Sequence, residues 1–171
     1  MNTPGKFRHI VSAQSRAFSL VELLVVITII AMLIGIVLAK MDTARLQGRE
    51  AKRKSDIKQL QIALQLYYVD HGNYPAGCWR YLEANGEDYI PGLAPTYIAK
   101  LPHDPSGGTC PSGIGNNSNL RTYYYCSDGH NKYKLNVCSE TVIPNTSEWY
   151  DPIRPGYAWM ICSSQSACTT F

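Results

Sequence analysis

Glu22 is the only ionisable side chain between Phe18 and Ala39. The run "FSLVELLVVITIIAMLIGIVLA" is otherwise uncharged and has no proline. It is long enough to cross the hydrocarbon core of a bilayer as a helix, which takes about 20 residues. A carboxylate inside such a segment costs about 2.5–3.5 kcal/mol on insertion scales, so it marks a functional site and needs an opposite charge at the same depth. The second chemically capable set is cysteine. Cys78, Cys110, Cys126, Cys138, Cys162 and Cys168 all follow residue 70. An even number placed beyond a membrane-length segment fits disulfides in an oxidising compartment, stapling a small core. Three bridges satisfy this, as do two bridges and a free pair. No CxxC occurs and no Cys/His spacing is that of a zinc finger, which argues against zinc.

Catalytic patterns are missing from the chain. It has no GxSxG, P-loop or HExxH, and its four histidines are scattered, so no catalytic residue, metal or cofactor is assigned. His71 reads as an exposed loop histidine. Trp79, Trp149 and Trp159 read as core residues of a small sheet domain rather than as sugar- or base-stacking platforms. Nothing supports a nucleic-acid partner, because the +3 net charge comes from the leader. Asn116-Asn117-Ser118 and Asn145-Thr146-Ser147 match the short N-glycosylation pattern, a weak signal here.

The elements that position these residues follow from charge and periodicity. Residues 1–17 hold Lys6, Arg8 and Arg16 and no acid, and residues 40–58 hold seven basic residues against Asp42, Glu50 and Asp56. Basic residues therefore flank both ends of the apolar run, leaving the positive-inside rule ambiguous. Cysteine placement breaks the tie in favour of a cytoplasmic N-terminus and an exported C-terminal part. The run exceeds the 7–15 apolar residues of a secretory signal peptide, and no A-x-A site follows it. Between residues 5 and 74 there is no proline, so the helix continues from Lys40 to about Val69. In this part Ala44, Gly48, Ala51 and Ser55 form a seam of small residues, and Leu60, Leu64 and Tyr67 or Tyr68 an apolar face for a sheet. Lys52, Arg53, Lys54 and Lys58 read first as a solvated face, then as a membrane-surface contact or an intersubunit charge ladder. Gly72 and Pro75 end the helix.

Residues 76–118 read as loop, rich in proline. Leu120–Ser139 reads as a hairpin around Ser127–Asn131. A four-residue loop at 128–131 sets Cys126 opposite Tyr133 and Cys138 opposite Arg121, too far apart for a direct bridge, so each reaches another segment. Tyr157–Cys162 reads as a third strand, and Cys162 and Cys168 as able to close a small terminal loop. Other pairings lie open among fifteen.

The order of basic leader, small Ala17, aromatic Phe18, Glu22 at a fixed offset and an uninterrupted apolar run resembles the class III signal of type IV pilins and type II secretion pseudopilins. "VDHGNYP" is similar to the "DNGxYP" helix end of that superfamily, and "LPHDPSGG" to its "LPxDPxG" connector. The resemblance implies that a prepilin peptidase cuts between Ala17 and Phe18 and methylates Phe18. Glycine usually precedes the cut in that family, and alanine stands there in this chain. It further implies that Glu22 pairs with the N-terminal amine of a neighbouring subunit during assembly. G-like pseudopilins carry a calcium loop after the sheet, yet here Asp151 stands almost alone, with Glu148 nearby.

The expected fold is α+β and pilin-like: a long N-terminal α-helix, its first half membrane-embedded, packed on a small antiparallel β-sheet. The expected domains are a cytoplasmic leader (1–17), a transmembrane assembly half-helix (18–39), an amphipathic half-helix (40–70) and a globular, cysteine-containing sheet domain (71–171). The expected function is that of a structural subunit of a type IV pilus or related type II secretion-like filament, a major pilin being slightly favoured. Its expected partners are its own copies or other pilins, the prepilin peptidase, an inner-membrane assembly platform and the membrane. The subunit is expected in the inner membrane before assembly and at the cell surface after it. The competing reading is an uncleaved, membrane-anchored monomer that displays a carbohydrate- or DNA-binding domain.

Overall fold

The computed structural model describes residues 18–110 and 120–171, without the side chains of Ala39, Trp79, Glu83 and Tyr157. Helix α1 (Leu20–His71) is followed by β1 (Gly77–Arg80), the short α2 (Leu82–Asn85) and a 3-10 turn at Gly86–Asp88. Then come β2 (Tyr123–Ser127), β3 (Tyr133–Ile143), β4 (Gly156–Cys162) and α3 (Gln165–Thr170). The strands form one antiparallel sheet in the order β1-β2-β3-β4, so the fold is α+β: a long N-terminal helix packed on a four-stranded sheet.

A proline-free run with only Gly35 and Gly48 as weak points supports the length of α1. Gly72 stops it, in the left-handed conformation (φ +70°) that glycine adopts without strain, with its N–H donating to the Tyr68 carbonyl at 2.8 Å. The chain divides into two compact units at Asp42/Thr43. In the first, every described side chain from Phe18 to Leu38 is exposed. By length and composition this helix can cross a membrane.

In the second unit, Ile57, Leu60 and Leu64 fall on one side of α1 by helical spacing and are fully buried against Tyr123, Tyr125, Leu135, Val137 and Trp159. Each such side chain contributes about 1.5–3 kcal/mol by leaving water. Strand side chains alternate between faces, so Lys134, Asn136 and Cys138 of β3 lie on the face away from the helix. That face is buried too, with Tyr124, Ala158 and Cys110. The structure pairs Cys78 with Cys126, Cys110 with Cys138, and Cys162 with Cys168.

The hairpin register differs by one residue from the sequence reading. Cys126 faces Lys134, and it is Ser127 that faces Tyr133. The loop has five residues rather than four because Asp128 closes it: its Oδ1 accepts from the N–H groups of His130 and Lys132, at 2.8 and 3.1 Å. Its own N–H donates to the Lys132 carbonyl. Regular elements lie where loop was expected: β1, α2 and the 3-10 turn within residues 76–118, and α3 after β4. β1 is four residues long and irregular in register, too short to show alternation, and α3 is a single capped turn and a half.

Candidate functional site

The helix begins at its cap. The Ser19 hydroxyl accepts from the Val21 N–H at 3.3 Å, and the Ser19 carbonyl from the Leu23 N–H at 3.1 Å. Ser19 is thus the N-cap and Glu22 the third helical residue, the S-x-x-E spacing of a capping box. At that position a carboxylate also faces the positive end of the helix dipole, worth about 0.3–1 kcal/mol. The nearest described cation along the helix is Lys40, 18 residues on, or about 27 Å at 1.5 Å per residue. No residue of α1 can neutralise Glu22 once it enters hydrocarbon. Phe18, 75% exposed, stands just ahead of the cap. Ala17 lies outside the described residues.

A second cluster holds the globular unit together and was not legible as such in the sequence. Arg53, expected on a solvated face, is fully buried. Its Nε and Nη2 donate to Oδ2 and Oδ1 of Asp104 at 2.8 and 2.9 Å, and Nη2 also donates to Ser106 Oγ at 2.7 Å. Its Nη1 donates to Glu140 Oε1 at 2.8 Å and Glu50 Oε1 at 3.1 Å. Burial works against the Arg53 charge, but the bonds to Asp104 and Glu140 outweigh it and raise its pKa. Arg49 grips Glu140 with Nε at 2.6 Å and Nη2 at 2.5 Å. The Arg49 hydrogen bonds, with those of Arg53, hold the Glu140 carboxyl down at about 2. Glu50 accepts from the Glu140 N–H and from Ser139 Oγ. Helix α1, the proline-rich connector and β3 therefore meet at one guanidinium. The rest of the basic run stays exposed, as a solvated face should: Lys52 pairs with Asp56, Lys54 lies 5.0 Å from the Trp159 ring centre and Lys58 lies 5.7 Å from that of Trp149.

A third cluster sits behind the sheet. Lys134 and Asp151 are fully buried and 3.2 Å apart. Burial pulls the Lys134 ammonium below the ordinary lysine range, with Asp151 opposing. Asp151 Oδ1 also accepts from the Ile153 N–H, and its Oδ2 accepts from Asn136 Nδ2 and Arg154 Nη1. A carboxylate ringed by four donors does not fit a calcium ligand, since calcium takes six to eight free oxygens. Glu148 instead accepts from Trp149 Nε1 at 2.7 Å. Among the described residues no group of three acidic, histidine or cysteine side chains is placed to hold a metal.

The remaining sequence candidates are structural where they are described. Trp149 and Trp159 are buried, and the Trp79 side chain lies outside the described set. His71, the last helical residue, is exposed and stacked on Tyr67, its Nδ1 within 3.0 Å of the Tyr67 carbonyl. Asn145 is exposed beyond β3, and residues 116–118 lie outside the description.

The family model of the prokaryotic N-terminal methylation motif matches residues 12–38. The type II secretion system core protein G of Escherichia coli strain K12 is 34% identical over 102 residues, covering 55% of this chain and 68% of that protein. The protein of the same name from Klebsiella michiganensis is 32% identical, covering 54% and 69%. That from Pseudomonas aeruginosa is 31% identical, covering 55% and 70%. No solved structure matches the chain.

Proposed function

Because this chain belongs to the family of type IV pilins and type II secretion pseudopilins, we propose that it is the repeating subunit of a type II secretion-like filament. The names of its relatives favour a secretion filament over a motility pilus. Prepilin peptidase removes residues 1–17 and methylates Phe18. Residues 18–39 hold the subunit in the inner membrane with its N-terminus in the cytoplasm. The helix continues through residue 70 into the exported domain, residues 71–171, where the cysteines meet oxidising conditions. An assembly platform in the inner membrane then moves subunits into a filament, helix against helix.

One observation carries this reading. Glu22 occupies the first turn of a helix whose exposed flanks carry no other charge, with no cation of its own helix nearer than Lys40. The amine freed at Phe18 of an adjacent subunit supplies the missing charge at the matching depth, so pairing fixes the axial register.

N-terminal peptide mass spectrometry on membrane and sheared surface fractions tests the proposal. A product beginning at methylated Phe18 in the sheared fraction supports processing and assembly. A chain retaining residues 1–17 and confined to membranes refutes it and leaves the anchored monomeric binding domain. Glu22→Ala should abolish filaments without removing the subunit from the membrane.

A further inference from the structure

Lys134 has no exposed surface, and its Nζ donates to three oxygens: Asp151 Oδ1 at 3.2 Å, the Cys168 carbonyl at 3.0 Å and the Phe171 carbonyl at 2.9 Å. Three acceptors on one nitrogen use three protons, so the group is an ammonium and carries a full positive charge. One carboxylate oxygen with two main-chain carbonyls is the kind of oxygen set that a hard divalent cation gathers. Here the positive charge arrives on a side chain of β3, and the oxygens come from the loop after β3 and from the C-terminal segment that covers it. The remaining lone pairs of Asp151 are taken by Asn136, Ile153 N–H and Arg154, so the carboxylate has no oxygen to turn toward a metal.

We propose that Lys134 is a built-in cation that does the work of a bound calcium ion, so that the Asp151 loop and α3 stay docked on the sheet without a divalent metal. The expectation of calcium rests on the family assignment. The geometry that displaces it is this chain's own, and it stands whether or not the chain is cleaved or polymerises. The Cys162–Cys168 bridge joins the end of β4 to α3, so the carbonyls that receive Lys134 are tethered to the same sheet.

The experiment compares the full chain in detergent in about 1 mM calcium chloride and in about 1 mM EGTA. A site binding calcium with a dissociation constant of about 10 µM would shift the folded-to-unfolded ratio about 100-fold between the two. The expected result is no shift in melting temperature beyond about 1 °C. A rise of more than about 3 °C in calcium overturns the proposal. Hydrogen exchange on Lys134→Met gives the second arm. Exchange should quicken at least about tenfold in residues 163–171, with Tyr123–Ser127 unaffected. Unchanged exchange in the C-terminal segment would show that the ammonium does not hold it. Should Lys134→Met fail to fold, Asp151→Asn carries the exchange measurement, and the wild-type calcium comparison decides independently.

Discussion

Arg53→Ala is the most informative single change to the globular unit. It removes five hydrogen bonds and the one cation shared by Glu50, Asp104 and Glu140. The three carboxylates are not left equally exposed to the loss. Glu140 keeps Arg49 at 2.5 Å and Arg121 at 3.5 Å, and Glu50 keeps Ser139 and the Glu140 N–H. Asp104, whose side chain is 3% exposed, keeps only Ser106 among the described residues. Breaking one side of a buried pair costs about 3–5 kcal/mol, because the charge left behind has no partner. That is a large part of the 5–15 kcal/mol typical of a whole domain. Urea unfolding of the full chain in detergent, followed by the buried Trp149 and Trp159, measures it. Arg53→Lys should lose at least half as much, since an ammonium cannot reproduce the two-point grip on Asp104. Adding Asp104→Asn to Arg53→Ala should recover about 2 kcal/mol, a coupling expected only of residues in direct contact. A loss below about 1 kcal/mol for Arg53→Ala, or strict additivity in the double variant, refutes the reasoning.

Other expectations follow from the same structure. Glu140 titrates near 2 when folded against 4.5 in the free group, so its contribution is complete above about pH 4.5 and is lost as pH falls toward 2. The shift corresponds to about 3 kcal/mol, and Glu140→Gln should flatten that part of a urea-midpoint profile between pH 5 and pH 2. Tyr123→Phe removes the 2.7 Å hydrogen bond from its hydroxyl to Asp56 and should cost about 1–2 kcal/mol in the same assay. Gly129 has φ +74°, and an added Cβ would lie 2.9 Å from the Ala76 Cβ. Gly129→Ala should therefore cost about 1–2 kcal/mol from the backbone alone, seen as a lower melting temperature. Glu22→Ala should leave the melting of the globular unit unchanged, because no contact within that unit uses Glu22.

What the sequence made legible was whatever repeats along the chain. The apolar run and the Leu60–Leu64 spacing announce α1, and tyrosine-rich runs flanking a turn announce β2 and β3. The hairpin register escaped because it depends on one side chain, Asp128, closing the loop around Lys132. Arg53 escaped because its partners lie 51 and 87 residues further on, and a basic run on a helix ordinarily faces water. Asp104 gave no clear signal either, because Lys100 and His103 lie close to it in sequence and pair instead with Glu87. Lys134 and Asn136 alternate with Leu135 and Val137, which reads as a strand with one wet face. That face is dry because Cys110, the Asp151 loop and the C-terminal segment fold across it, and a six-residue helix leaves no periodic trace.

The convergence at Arg53 also bears on how the globular unit reaches its native state. A helix that docked on the sheet before the connector arrived would bury a guanidinium lacking its two-point partner, and a connector that docked first would bury Asp104 without its cation. The first form still has Glu50 and Glu140 on the guanidinium, whereas the second leaves a buried carboxylate without its cation and lies high in free energy. Three segments that are distant in sequence are thereby made to close together, and the transition gains cooperativity at the one point where they meet.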